Sequence, residues 1–366
     1  MTEYLLKAGE PAPWFSSARL NNDHDRVPLD ELAGPHIVLL FFRNGSQSGV
    51  LQALQTFGIS DDLFDGRQAI FMGLSREPDE LTMEFAQQSG AGRYFLRDGG
   101  GAIARLYGLA VPQTVGDDNF GPVAFILTPA LQVADILPLD RSGTGAESVV
   151  SILRQRLASP VAVQSPPVLV VPRVFDREFC DRLIEQHQAS GGGREIGVVE
   201  SDGKAIGGQF DPNFRKRSDW YISDEAMIGE ARDQIVRRLL PMVYRAFQFR
   251  TTRIERYLVG CYDSATGGRF AAHRDNTAPP VAHRRFALTI NLNEDYEGGY
   301  LRFPEFGRQN HRAAPGDAIV FSCSLLHEVT PITRDRRFAF VSFLYDEQSQ
   351  QLRDDYAKRV AEQQKA

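Results

Sequence analysis

Two textures of hydrophobic patterning divide the chain. In the first half, short runs apolar at nearly every position alternate with stretches whose apolar residues recur every three or four positions. HIVLLFF (36–42) and QAIFMGLS (68–75) are runs of the first kind and predict strands covered on both faces, as in the middle of a parallel sheet. GVLQALQTFGISDDLF (49–64) and EPDELTMEFAQQSG (77–90) carry helical spacing. VAFILTP (123–129) and LQVADILPL (131–139) read as paired strands. Strands and helices in alternation imply an α/β layer fold around one sheet.

The texture changes at SPVAVQSPPVLVVPRV (159–174), which has four prolines and no helical period, the mark of a linker running into an edge strand. Beyond it come two helical stretches. DREFCDRLIEQHQAS (176–190) is opened by Asp176, and SDEAMIGEARDQIVRRLLPMVYRAF (223–247) has Ser223 as its expected N-cap and Pro241 as its expected kink. After residue 253 only short strand-like runs remain: RIERYLVGCY, RRFALTINLN, YLRFPEF, DAIVFSC and RFAFVSFLY, separated by turns. Helices followed by closely spaced strands predict an α+β jelly roll or barrel braced by helices. The expected division is 1–160, a linker at 161–172, a second domain at 173–348 and a polar tail at 349–366.

Size supports two domains, because 366 residues exceed the roughly 250–300 at which a single core stops growing. No apolar run approaches the roughly 18 residues that span a bilayer, and the first residues lack a secretory pattern, so a cytoplasmic protein without membrane partners is expected. Three widely spaced cysteines, Cys180, Cys261 and Cys323, argue against a disulfide framework and predict small buried thiols. Charge is uneven: residues 1–160 hold 12 Lys/Arg against 19 Asp/Glu, the remainder 29 against 28. Overall acidity speaks against nucleic-acid binding. The arginine clusters of the second half, such as Arg215-Lys216-Arg217, are expected as solvated surface or as a face toward an anion.

AGEPAPWFSSARL, VPLDELAGPHIVLLFFRNG, AIARLYGLA and GPVAFILTPALQVADIL together resemble the peroxiredoxin-like branch of the thioredoxin fold over roughly residues 5–158. The resemblance implies a thioredoxin-like α/β domain. The cysteine that family uses should follow LLFFR, where this chain reads NGSQSG, and a serine at 46 or 48 does not ionise near neutral pH. A catalytically silent scaffold is the expectation.

The second half poses a metal question at His273-Arg274-Asp275. A kinase reading of HRD fails, since neither DFG nor a glycine-rich phosphate loop accompanies it. Residues i and i+2 of a strand share a face, so His273 and Asp275 are able to converge on one ion. His327, ending the strand-like run GDAIVFSCSLLH, is the candidate third ligand. Two imidazoles and one carboxylate leave positions open, which suits iron(II) and O₂. Arg337 opens RFAFVSFLY as a charged fork for a carboxylate, with Arg336 as the alternative if the register shifts by one.

With LVGCYDSATGGRFAAHRDN, LTINLNEDYEGGYLRF and APGDAIVFSCSLLHEVTPI around them, these residues resemble the 2-oxoglutarate- and iron(II)-dependent oxygenases of the prolyl 4-hydroxylase branch over residues 168–348. The resemblance implies a double-stranded β-helix (jelly roll), Fe(II) on His273, Asp275 and His327, and 2-oxoglutarate with its far carboxylate on Arg337. It further implies O₂ as co-substrate, ascorbate as an aid, and hydroxylation of an unactivated C–H bond. Tyr262 matches a co-substrate-binding tyrosine. Asn291 stands where relatives place another tyrosine, with Thr289 on the same face. Gly298-Gly299 read as a structural bend, and the glycine-rich segment 191–222 as a substrate-covering loop. The substrate is a protein or peptide residue or a free small molecule, and a homodimer is among the expected assemblies. A binding protein that no longer turns over and a non-oxidative cupin are the competing classes.

Overall fold

The computed structural model describes residues 5–58, 60, 62–109, 121–140, 145–159, 164–195 and 214–363, so 196–213 of the glycine-rich segment lie outside the described residues. Two units emerge, Met1–Gln164 with Pro304–Gly307, and Ser165–Phe303 with Arg308–Ala366.

The first unit is built on β1 (Ser16–Arg19), β2 (Asn22–Pro28), β3 (His36–Phe42), α1 (Val50–Gly58), β4 (Ala69–Ser75), α2 (Glu80–Gln88), β5 (Arg93–Arg97), α3 (Ala102–Leu106), β6 (Val123–Leu127), β7 (Val133–Pro138) and α4 (Gly145–Ala158). Its seven strands run in the order β2-β1-β5-β4-β3-β6-β7, with β3 parallel to β4 and antiparallel to β6. This is the thioredoxin-like α/β fold. Every residue of β3 and β4 is buried because both faces are covered. Val38, Leu40 and Phe42 pack under α1 and α4, while Phe41 on the opposite face meets Tyr107 and Phe125 at 5.1 and 5.7 Å between ring centroids. Helix α1 stops at Gly58 rather than continuing to residue 64, as a residue of low helix propensity allows.

The loop after β3, where a catalytic thiol would stand, is closed by Asp79, the N-cap of α2. Its carboxylate accepts from Gly45 N (3.0 Å), Ser46 N (2.8 Å), the Ser46 hydroxyl (2.5 Å) and Thr82 N (2.9 Å). Burial opposes ionisation of Asp79, but the bonds from Ser46 and Thr82 outweigh it and hold the carboxyl well below its usual range. Ser46 is committed to a structural bond.

The second unit begins with β8 (Val168–Val171), α5 (Arg177–Ala189), β9 (Arg194–Glu195), β10 (Arg215–Lys216), β11 (Ser218–Tyr221), α6 (Glu225–Gln234) and α7 (Leu240–Phe247). There follow β12 (Arg253–Ile254), β13 (Leu258–Asp263), β14 (Arg269–His273), β15 (Phe286–Asn291), β16 (Glu297–Gly298), β17 (Leu301–Arg302), β18 (Ala318–Ser322), β19 (His327–Val329), β20 (Ile332–Arg334), β21 (Arg336–Tyr345) and α8 (Glu347–Gln363). The larger sheet runs β8-β18-β15-β21-β13-β11-β9, the smaller β10-β14-β19-β17. Strand alternation sorts the larger sheet's side chains. Val259, Cys261, Leu288, Ile290, Phe338 and Phe340 pack under α5 and α6, whereas Tyr262 on the other face meets Val329 of the smaller sheet. Two facing sheets with helices behind one of them make the jelly roll.

Several expectations change. The N-cap of α6 is Asp224, accepting from Met227 N at 2.7 Å, not Ser223. Pro241 sits at the start of α7, preceded by a wide turn at Ile235–Leu239 in which Leu240 N–H reaches back to Ile235 O. The turn absorbs the ring upstream of the proline. The polar tail is a helix whose first turn is anchored: Ser349 is buried and accepts from Arg285 Nε at 2.7 Å, and Glu347 pairs with Arg253 at 2.9 Å. All three cysteines are free and buried. No helix among the described residues is long and apolar enough to cross a membrane.

His187 on α5 is buried against Phe338 (ring centroids 5.3 Å apart), and among the described residues neither ring nitrogen has a partner. Burial, assisted by Arg336, pushes its pKa below the ordinary value. The folded state then binds this proton more weakly than the unfolded chain does. Its contribution is complete above the unfolded pKa of about 6.5 and is lost as pH falls below it. Denaturation of the full chain between neutral and mildly acidic pH should show this loss, and His187→Phe should reduce it; an unchanged pH slope would refute the assignment.

Candidate metal and co-substrate site

Pairing of β14 with β19 sets His273 directly opposite His327, with ring centroids 4.3 Å apart. Asp275 lies just past the end of β14, where its N–H donates to Cys323 O at 2.9 Å and turns the carboxylate back toward the imidazoles. His273 Nε2 is 3.6 Å from one carboxylate oxygen and His327 Nε2 is 3.4 Å from the other. Candidate ligand atoms of all three lie within 4.8 Å of one another.

The hydrogen bonds behind this cluster orient its two imidazoles. His273 Nδ1 faces Ala271 O at 2.8 Å and His327 Nδ1 faces Leu325 O at 3.0 Å. A carbonyl only accepts, so each Nδ1 carries a proton, and in the neutral ring the lone pair is left on Nε2. Burial and neighbouring His273 push His327 down to about 4, so it is neutral near pH 7. Burial works against ionisation of Asp275, but His327 and His273 outweigh it and hold the carboxyl below its usual range. With both rings neutral, two lone pairs and a carboxylate converge, a donor set that fits a divalent cation. Phe270 stacks on His273 at 3.7 Å and Phe321 packs edge-on to His327 at 4.7 Å, restraining both rings.

On the facing sheet, Arg337 pairs in register with Tyr262, is 7% exposed, and points inward; the Arg336 side chain is 52% exposed. Of the two arginines, Arg337 is the one on the inward face. Its Nε donates to Asn291 Oδ1 at 3.3 Å, and among the described residues no carboxylate pairs with it. A small pocket is lined by Arg337, Thr289, Asn291, Tyr296, His311 and Ile319, with four further residues. The structure thus brings Arg337, Thr289 and Asn291 together. Tyr262 flanks them, its ring 5.4 Å from the Arg337 guanidinium and its hydroxyl accepting from Arg217 Nη1 at 3.3 Å.

Some participants escaped the sequence reading. Arg215 and Arg217 are buried, both bonded to Asp219; Arg217 Nε reaches it at 2.6 Å. Gly260 makes room for Arg217, whose Cδ would lie 2.8 Å from a Cβ there. The only signal was Asp219 spaced two and four residues after the arginines, easily taken for surface charge. Tyr296 also went unnoticed. Its hydroxyl donates to Asn291 Oδ1 at 3.0 Å across a turn, where strand alternation gives no guide.

Residues 257–345 match the 2OG-Fe(II) oxygenase superfamily, a stretch that includes His273, Asp275, His327 and Arg337. The second unit carries a 2OG-Fe(II) oxygenase domain. A PKHD-type hydroxylase of Synechococcus sp. (strain JA-2-3B'a(2-13)) is 32% identical over 98 residues, covering 25% of this chain and 43% of the relative. This chain thus spans less than half of that relative's length. Among solved structures, a Pseudomonas putida prolyl-4-hydroxylase is similar over 50% of this chain and 94% of its own, at 18% identity and a TM-score of 0.39. Peroxiredoxin Q of Xanthomonas campestris is similar over 41% of this chain and 99% of its own, at 21% identity and a TM-score of 0.33. The superfamily implies Fe(II) and 2-oxoglutarate, and in the oxygenase domain the His-Asp-His cluster is the candidate metal site.

Proposed function

We propose that this chain is a 2-oxoglutarate- and Fe(II)-dependent dioxygenase that hydroxylates an unactivated C–H bond in a residue of a protein or peptide. The observation that carries the reading is Arg337: a buried guanidinium lining a pocket, with no carboxylate partner among the described residues, on the sheet facing the His273–Asp275–His327 cluster. A buried cation is costly unless paired, so this geometry asks for an anionic ligand. A diacid whose keto-acid end reaches the metal and whose far carboxylate reaches Arg337 meets that demand.

When bound, iron and oxoglutarate supply the oxidising chemistry. His273, Asp275 and His327 would hold the metal, their orientation set by Ala271 O, Leu325 O and the Cys323 carbonyl. Arg337 would hold the distal carboxylate, and Thr289 adds a hydroxyl on the same pocket wall. Phe270 and Phe321 pack against the imidazoles and would keep both rings in place. The first unit contributes no thiol at the 43–48 loop, where Asp79 occupies Ser46, and we assign it a scaffold role.

The test is anaerobic titration with Fe(II) and then oxoglutarate, followed by visible charge-transfer absorption, alongside aerobic succinate formation. Arg337→Ala should weaken oxoglutarate binding by roughly 100-fold, as loss of one member of a buried charge pair does, and leave Fe(II) affinity nearly unchanged. A wild-type protein that binds iron but gives neither oxoglutarate-dependent absorption nor succinate would overturn the proposal.

A further inference from the structure

Where relatives were expected to place a tyrosine against the co-substrate, this chain has Asn291, and the hydrogen bonds around that amide are fully specified. Asn291 Nδ2 donates to Asn293 O at 2.7 Å and to Ala313 O at 3.1 Å. Both amide hydrogens are thereby spent on backbone carbonyls, which fixes the orientation of the group. Its Oδ1 accepts from Tyr296 Oη at 3.0 Å and from Arg337 Nε at 3.3 Å. No donor of Asn291 is left to offer a carboxylate.

The surroundings hold this arrangement. The Arg312 guanidinium lies 3.9 Å from the centre of the Tyr296 ring, while Arg312 donates to Tyr296 O at 3.1 Å and Glu294 O at 2.7 Å. Tyr296 is thus pinned from both sides and is 2% exposed. Gly299, at φ +61°, leaves no room for a side chain: a Cβ there would lie 2.2 Å from Ile332 Cδ1 and 3.1 Å from Arg337 Cδ. One glycine of the expected bend therefore also opens space for the arginine.

We infer that Asn291 and Tyr296 are positioning residues for Arg337. The amide oxygen, itself oriented by the Tyr296 hydroxyl, ties down Nε, so that the Nη edge of the fork is presented to the distal carboxylate of the co-substrate. The inference rests on the oxygenase reading and deepens it, because Asn291 acts through Arg337 instead of touching the ligand. A fork held by Nε binds with less entropy loss than a free one, and pre-organisation of this kind appears in ligand affinity.

The experiment is a double-mutant cycle on oxoglutarate affinity, read by anaerobic charge-transfer absorption with Fe(II) affinity measured in parallel. Asn291→Ala and Tyr296→Phe should each weaken oxoglutarate binding by roughly tenfold with iron affinity unchanged. In the Arg337→Ala background the same substitutions should cost almost nothing, because the group through which they act is gone. Additive losses would overturn the inference, since they would mean that Asn291 or Tyr296 contacts the ligand or acts by general damage. Wild-type affinity in both single variants would also overturn it. Tyr296→Phe removes one oxygen atom and decides the matter if Asn291→Ala does not fold. Should Arg337→Ala itself bind oxoglutarate as the wild type does, the oxygenase reading fails, an outcome separate from failure of the positioning role alone.

Discussion

Asp275→Ala should lose Fe(II) binding and all oxoglutarate-dependent succinate formation while remaining folded. Asp275 is the one carboxylate of the cluster, with an oxygen facing each Nε2 at 3.6 and 3.4 Å. Without it, two neutral imidazoles remain, a weak and uncharged donor pair for a hard divalent ion. The loss should exceed the roughly 10–100-fold that removal of an outer-shell partner costs. Stability should change little. His327 is neutral near pH 7, with its pKa near 4, so removing the carboxylate strands no buried imidazolium there. Isothermal titration with Fe(II) under argon checks the first part and a thermal melt the second. Iron affinity within tenfold of wild type would remove Asp275 from the ligand set.

Asp219→Ala should be the most destabilising single substitution in the oxygenase unit away from its apolar core. Its carboxylate is 1% exposed and takes bonds from Arg215 and from Arg217, whose Nε and Nη2 lie at 2.6 and 3.0 Å. Burial pushes Arg215 down to about 10, with the Arg217 charge adding to it and Asp219 opposing. Removing the shared anion leaves two buried guanidinium groups with one another as nearest charges. Breaking such a pair from one side costs about 3–5 kcal/mol. The Tyr262 hydroxyl, held by Arg217 Nη1, should loosen too. Burial raises the carboxyl pKa but Arg217 and Arg215 outweigh it, so the folded value lies below the unfolded one. The contribution is therefore present above about pH 4 and disappears as pH falls through the lowered folded value. Urea unfolding at neutral pH measures it; a cost below about 1 kcal/mol would show that solvent reaches the arginines.

Legibility in the sequence followed the reach of local rules. HIVLLFF and QAIFMGLS announced buried parallel strands because both faces are covered, and β3 and β4 are fully buried. His273, Asp275, His327 and Arg337 stood out as a set, since strand order and spacing connect them along the chain. The convergence of His273, Asp275 and His327 depends on β14 pairing with β19 and on the bulge between Phe270 and His273, which no local pattern announces. Arg215-Lys216-Arg217 was ambiguous for a similar reason. Alternation sends Arg215 and Arg217 to one face, but their burial is made possible by Asp219 from the next strand and by Gly260 across the sheet. Tyr296 met Asn291 across a turn, beyond any periodicity. The N-cap at Asp224 lies one residue from its expected place, within the margin at which helix termini are hard to read, whereas α1 ends at Gly58, six residues short of the expected 64.

The fate of the thiols has a chemical consequence. Burial pushes Cys180 and Cys261 up to about 12 and Cys323 well above its ordinary value. At neutral pH these three sulfurs stay protonated, and a protonated sulfur is a poor target for peroxide or for disulfide exchange. With all three cysteines of the chain held in this state, neither half of it offers a thiolate for disulfide exchange.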